Sequence, residues 1–297
     1  MKRKVIQLAG KTFVVSLPSK WVKKQGIKKG DELEVDDSGK SLSIATQGRG
    51  RSTASIHLNG PEELMRRRIN TAYKRGFDEL ELTYDDPKAI KAIQKELDLL
   101  LGYEIVKHGE KHCIIKCIAN TLEEEYEVIL RRIFLMLLEM GDESIKAIKN
   151  KEFERLNEIA MLENTNDKLT NFCKRVLNKN SSQNSIMHYC IVRELEHIAD
   201  SYAKICASVQ ESKMNVSKET VVLYEKTNIL LREFYDLFYD FKEDKAEIFA
   251  KHREEIKKQG KILIKAKQKE EALLITAITG IASQINAAAG PFYATKL

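Results

Sequence analysis

Four carboxylates have the types and spacing to do chemistry. Glu163 and Asp167 stand four residues apart in one expected helix, and Glu196 and Asp200 repeat that spacing in the next. Such spacing puts both members of a pair on one helix face. The two helices are joined by the segment between Asn178 and Ser185, so in an antiparallel hairpin residues equidistant from its centre share a level. That pairs Glu163 with Asp200 and Asp167 with Glu196. Like charges this close repel unless protons or a cation compensate. Hard carboxylate oxygens suit a divalent or ferric ion, namely iron, zinc, manganese or magnesium, with water completing the shell. The alternative is that the pairs face solvent on separate sides. The apolar neighbours Ile191, Leu195, Ile198, Tyr202 and Ile205 argue against that.

Other constellations offer less. Glu194-x-x-His197 has the spacing of a di-iron ligand pair, but such bundles need two E-x-x-H pairs and two further glutamates, and no second pair occurs. His197 projects about 100° away from Glu196 and is left out of the metal shell. No Ser/His/Asp or Cys/His set is placed for hydrolysis, so no enzyme activity and no organic cofactor are expected. Cys113, Cys117, Cys173, Cys190 and Cys206 are odd in number and never form C-x-x-C, which fits a reducing, cytoplasmic setting.

A second chemistry is carried by lysines. The chain of 297 residues has a formal charge of +6. Residues 1–51 hold 12 Lys/Arg against 5 Asp/Glu, so the excess sits entirely in that segment. Lys2, Arg3, Lys4, Lys11, Lys20, Lys23, Lys24, Lys28 and Lys29 could neutralise the phosphates of DNA. Arg3, the lone arginine before the linker at 46–53, is the better reader of base edges. The competing reading is a solubilising surface on a dimerisation module.

These residues must be positioned by three segments. Residues 1–48 read as short strands around a helix opened by Pro18 and stopped by Gly26, with turns at Gly10, Gly30-Asp31 and Gly39. So small a segment cannot cover Val5, Ile6, Leu8, Phe13, Val15, Leu17, Trp21, Val22, Ile27, Leu33, Val35, Leu42 and Ile44 alone, which predicts a homodimer. Residues 52–119 read as a small βαβαββ connector. Residues 121–297 read as six helices at 122–149, 151–178, 185–212, 217–241, 243–267 and 269–289, in two repeats (122–212 and 217–297). The uncharged stretch from Ala272 to Thr295 is long enough to span a membrane. Its Ser283, Gln284, Asn286 and many alanines favour a buried bundle helix, so a membrane-embedded protein is not expected.

Two resemblances sharpen these expectations. The run Leu17-Pro18-Ser19-Lys20-Trp21-Val22, followed by Gly26-Ile27-Lys28-Lys29-Gly30-Asp31-Glu32-Leu33-Glu34-Val35, resembles the AbrB/SpoVT swapped-hairpin domain. That resemblance implies an interleaved dimer with a DNA-binding basic surface. Arg193-x-Leu195-Glu196-x-Ile198-Ala199-Asp200, with Glu163 and Asp167 on the preceding helix, resembles the PhoU family of phosphate-uptake regulators. It covers residues 122–297, about 60% of the chain. It implies tandem three-helix bundles that bind metal at Glu163, Asp167, Glu196 and Asp200. In the second repeat the corresponding positions are Thr279 and Ser283, facing Glu254 and Lys258, which puts a second cluster in doubt. An AbrB-like domain fused to a PhoU-like body looks like an archaeal phosphate-uptake regulator. The expected fold is thus multidomain and mainly α, and the expected function is a DNA-binding transcriptional regulator of phosphate uptake. Its expected partners are DNA and a phosphate ABC transporter or a phosphate-sensing signalling protein. The alternative is an adaptor that modulates the transporter without binding DNA.

Overall fold

The computed structural model describes residues 1–8, 10–37, 39, 42–46, 52–118, 125–179 and 184–296. It divides into two compact units, Met1–Ser52 and Thr53–Leu297.

In the first unit, β1 (Val5–Leu8) and β2 (Thr12–Val15) pair antiparallel, with Val5 opposite Val15. The intervening Gly10 takes a φ of 75°, and the Gln7 amide donates to its carbonyl at 2.8 Å. Helix α1 (Ser19–Gln25) starts behind Pro18 and ends at Gly26, whose φ of 68° is the left-handed cap that glycine adopts without penalty. The Asp31 carboxylate accepts from the Lys28 N–H at 2.7 Å and closes the turn into β3 (Leu33–Asp37). That strand pairs antiparallel with β4 (Leu42–Thr46). No residue of α1 is buried. Within one chain Phe13 stays 69% exposed and Leu42 67%. The apolar surface is therefore made but not covered.

The second unit opens with a four-stranded sheet in the order β5-β6-β8-β7, comprising β5 (Thr53–Leu58), β6 (Glu79–Tyr84), β7 (Tyr103–His108) and β8 (His112–Cys117). The β5–β6 pair is parallel and the others are antiparallel. Helices α2 (Glu62–Lys74) and α3 (Ala89–Leu97) pack on each other and bury Ile69, Tyr73 and Ile93 against sheet residues such as Leu80 and Ile115. Helix α3 stops at Leu97. The Leu100 N–H bonds the Leu97 carbonyl three residues back, so a tight turn replaces the last helical turn.

The helical body comprises α4 (Tyr126–Asn150), α5 (Phe153–Ala160), α6 (Leu162–Lys179), α7 (Ser185–Ser212), α8 (Lys218–Tyr239), α9 (Glu243–Ala266) and α10 (Lys269–Ala294). The helix expected at 151–178 is two helices. The Asn164 N–H reaches only to the Met161 carbonyl at 3.3 Å, so the ladder tightens where α6 begins. Helix α10 runs past the expected end at 289 and through Pro291. Buried Phe292 packs on Phe234 and Phe238 there, and this offsets the hydrogen bond that proline removes. Helices α4, α5, α6 and α7 pack together, as do α8, α9 and α10, and the sets meet along α7–α10 and α4–α8. By length and apolar composition α10 could cross a membrane. Here it lies against α7, α8 and α9 and buries Ile275, Ile278, Ile281 and Ile285.

Candidate functional site

Helix α7 holds two of the carboxylates, Glu196 and Asp200, and helix α6 holds the other two. Its one face carries Leu169, Phe172, Cys173 and Val176 into the core, and this fixes the rotation of the helix. Glu163, in its first turn, and Asp167, one turn on, then point toward α7. One carboxylate oxygen from each of Glu163, Asp167 and Asp200 lies within 4.8 Å of the other two, and all three residues are half-buried. Burial first, then the negative charge of Asp200, raises the Glu163 pKa. Burial, then Glu163, Glu196 and Asp200, push Asp167 up to about 7. Its Oδ1 is buried without a hydrogen-bond partner. A groove of about 580 Å³, lined by Asn157, Glu163, Asn164, Asp200 and Lys204 among others, opens beside the cluster. Three convergent carboxylates, with a buried, unpartnered oxygen on Asp167, fit a hard cation on donor chemistry.

Glu196 has a different partner. Lys174, whose side chain is 3% exposed, donates to its carboxylate. A buried ammonium needs a counter-charge, and Glu196 supplies it. The sequence therefore predicts four converging carboxylates where the structure brings three together. Glu196 stays in the electrostatic surroundings of Asp167 without joining the group. Glu194 is buried and held by Arg193 at 2.7 Å, with His197 Nδ1 at 3.6 Å, so the E-x-x-H carboxylate already has a cationic partner.

On its other side Asp167 borders a second groove, of about 410 Å³, with Arg66, Asn70 and Lys74 of α2 and with Asn171 and Glu196. Burial and the charge of Lys174 lower the Lys74 pKa. Sequence reasoning missed Lys74 and Lys174, although the four-residue spacing from Asn70 to Lys74 and the absence of nearby acids on α2's later turns were legible. In the second helical set Glu254 accepts from Arg253 at 2.8 Å, and Lys258 is exposed and outside the α9–α10 groove. Thr279 and Ser283 donate to carbonyls of their own helix.

In the first unit, Lys2, Arg3, Lys4, Lys11, Lys20, Lys23, Lys24, Lys28 and Lys29 are all exposed. None forms an ion pair among the described residues. A hairpin, a proline-opened helix and a second hairpin, carrying unpaired cations beside uncovered apolar side chains, define a small basic domain of the kind that meets both a second copy and a polyanion. The family model described as "Antidote-toxin recognition MazE, bacterial antitoxin" matches residues 6–51. The match supports an AbrB/MazE-like N-terminal domain, a type that commonly dimerises and binds DNA. No curated protein and no solved structure matches the chain.

Proposed function

We propose that the protein is a DNA-binding transcriptional regulator of phosphate uptake, a homodimer through its first unit, whose helical body holds a metal ion and relays the state of a phosphate transporter. The observation that carries the DNA-binding part is the basic first unit: nine exposed cations, without an ion pair among the described residues, on a domain of AbrB/MazE type. The phosphate part rests on the PhoU-like motif around Glu196 and Asp200 and on the two mutually packed helix sets, α4–α7 and α8–α10, which suit tandem three-helix bundles.

Glu163, Asp167 and Asp200 would hold the ion, with Glu196 as neighbouring charge. The ion would supply positive charge that favours the ionised forms of Glu163 and Asp167, whose pKa values are raised by burial and by their acidic neighbours. The residues themselves bind and orient. Asp167 bridges the carboxylate cluster and the α2-lined groove, so its protonation or metallation bears on the sheet segment as well as on the bundle.

The test is salt-dependent retardation of DNA carrying the protein's own upstream region. Changing Arg3, Lys4 and Lys11 together to Ala weakens binding and flattens the salt slope by about one unit per lost contact. Retardation unchanged at every salt concentration removes these residues from the interface. A second reading is a toxin-binding or transporter-binding adaptor that uses the first unit only to dimerise. The matched family is named for antitoxins, which favours keeping it. Absence of DNA binding with an intact dimer selects it.

A further inference from the structure

Helix α9 carries a stripe of cations toward its neighbour. Arg253, Lys257 and Lys261 follow at four-residue intervals and so share one face. That face meets α10 along a groove of about 190 Å³, lined by the three cations together with Thr279, Ser283 and Ile264. Gly260 sets how closely the helices approach. A Cβ there would stand 2.3 Å from the Thr279 methyl carbon, so any larger residue would force the base of the groove apart.

The charge in this groove is unbalanced. Helix α10 contributes none from Ala272 onward. The Glu254 carboxylate at the rim lies 2.8 Å from Arg253 and 3.8 Å from Lys257. Lys261 makes no ion pair among the described residues, so one carboxylate stands against three cations. The carboxylate cluster lies between α6 and α7, and there the same spacing carries the opposite chemistry. Lys257 and Lys261 repeat the interval of Glu163 and Asp167. Thr279 and Ser283 repeat that of Glu196 and Asp200. The two helical sets thus present an acid-lined and a cation-lined version of one groove. Thr279 donates to the Ile275 carbonyl at 3.0 Å and Ser283 to the Thr279 carbonyl at 3.1 Å. Both carbonyls belong to the helix ladder, so either hydroxyl can turn to a ligand without orphaning a backbone group.

Three cations on one helix face, with turnable hydroxyls above an aliphatic floor, favour a compact anion with several acceptor oxygens. We propose that the α9–α10 groove binds a small phosphate-type oxyanion, held by Arg253, Lys257 and Lys261 and oriented by Thr279 and Ser283. A free phosphate ion and the phosphoryl group of a nucleotide share this chemistry.

The test is calorimetric titration of the full-length, chelator-treated protein with inorganic phosphate at low ionic strength, in parallel with AMP and with chloride. Saturable phosphate binding is expected. Lys257→Gln with Lys261→Gln should weaken it by roughly tenfold per removed charge. Thr279→Val keeps the charge and should weaken binding by about threefold. If the double variant loses its helical circular dichroism, Lys261→Gln alone and Thr279→Val carry the comparison. AMP binding tighter than phosphate, with the same sensitivity to these variants, assigns the nucleotide as source. The proposal is overturned by the absence of saturable binding, by equal heat from chloride, or by unchanged affinity in folded variants. It is also overturned if affinity falls only when Lys20, Lys23 and Lys24 are changed to Ala, which would put the anion on the first unit.

Discussion

Asp167 concentrates the energetic tension of the helical body in one side chain. In the metal-free protein its pKa of about 7 lies well above the ordinary 3.8. Between these values the folded chain keeps a proton that the unfolded chain has released. Stability from this group is therefore fully present below pH 4 and is lost as pH rises through 7. With screening at a partly open groove the effect is on the order of 2 kcal/mol. Asp167→Asn should accordingly match the wild type near pH 4 and exceed it near pH 8, read by denaturant unfolding in chelator. A wild-type curve that is flat between pH 4 and 8 counts against a strained cluster. Metal changes the sign, because a bound cation favours the ionised carboxylates. Glu163→Gln with Asp200→Asn should abolish metal uptake by elemental analysis while leaving chelated stability equal or higher. Glu196→Gln should instead destabilise, because it strands the buried Lys174 ammonium. These opposite outcomes separate Glu196 from the group in which its spacing placed it.

At the scale of elements, the joint between the sheet segment and the bundle centres on Arg175, with Asn171, Asn178 and Lys179 bonding across it as well. Arg175 of α6, with a 3% exposed side chain, donates to the Tyr73 carbonyl at 3.1 Å, the Phe77 carbonyl at 2.6 Å and Asp78 at 2.8 Å. It also lies over the rings of Tyr73 and Tyr103. Asn178 adds a bond to the Lys74 carbonyl, so α6 caps the end of α2. Arg175→Ala should cost about 3 kcal/mol, since it removes three hydrogen bonds and two ring contacts of a buried guanidinium, although Gly76, Tyr103 and Lys179 still donate to the Tyr73 carbonyl, the Phe77 carbonyl and Asp78. The same change at exposed Arg67 should cost under about 0.5 kcal/mol. Equal melting temperatures for the two variants would remove Arg175 from the joint. None of this was legible in the sequence, because an arginine in a helix reads as surface and its partners lie about a hundred positions away. What was legible had local causes. Gly26 stops α1, alternation marks β6, and the four-residue spacing brings Glu163 and Asp167 to one face. The break at Met161 and the run through Pro291 escaped because tertiary packing decided them.

For the whole molecule, the basic unit and the helical body should respond to different variables. DNA affinity should fall steeply with salt, whereas metal content should follow pH and chelator. A fragment of residues 1–50 should run as a dimer in sedimentation. A folded monomer of that fragment would sink the intertwined reading of the first unit. The three-way reading of the chain came from composition shifts and glycine-rich turns, and the structure joins the sheet segment to the bundle in one compact unit. The link was hidden for the same reason as Arg175: pattern reports what each segment needs to bury and says nothing of which neighbour covers it.

The apolar side chains left open in the first unit make its maturation a second-order process. If the first unit dimerises and binds DNA as proposed, a single chain with Phe13 and Leu42 facing water would gain its full stability only after meeting another, and the fraction competent for DNA would depend on protein abundance. The bundle, with its core closed within one chain, reaches its fold at any dilution. The basic unit precedes the bundle along the chain and is made before it, so a newborn chain would carry an unmatched half-domain until an encounter completes it. A cell that makes few copies would hold finished sensors without finished readers of DNA. Expression level would then set a threshold for regulation, without any ligand changing.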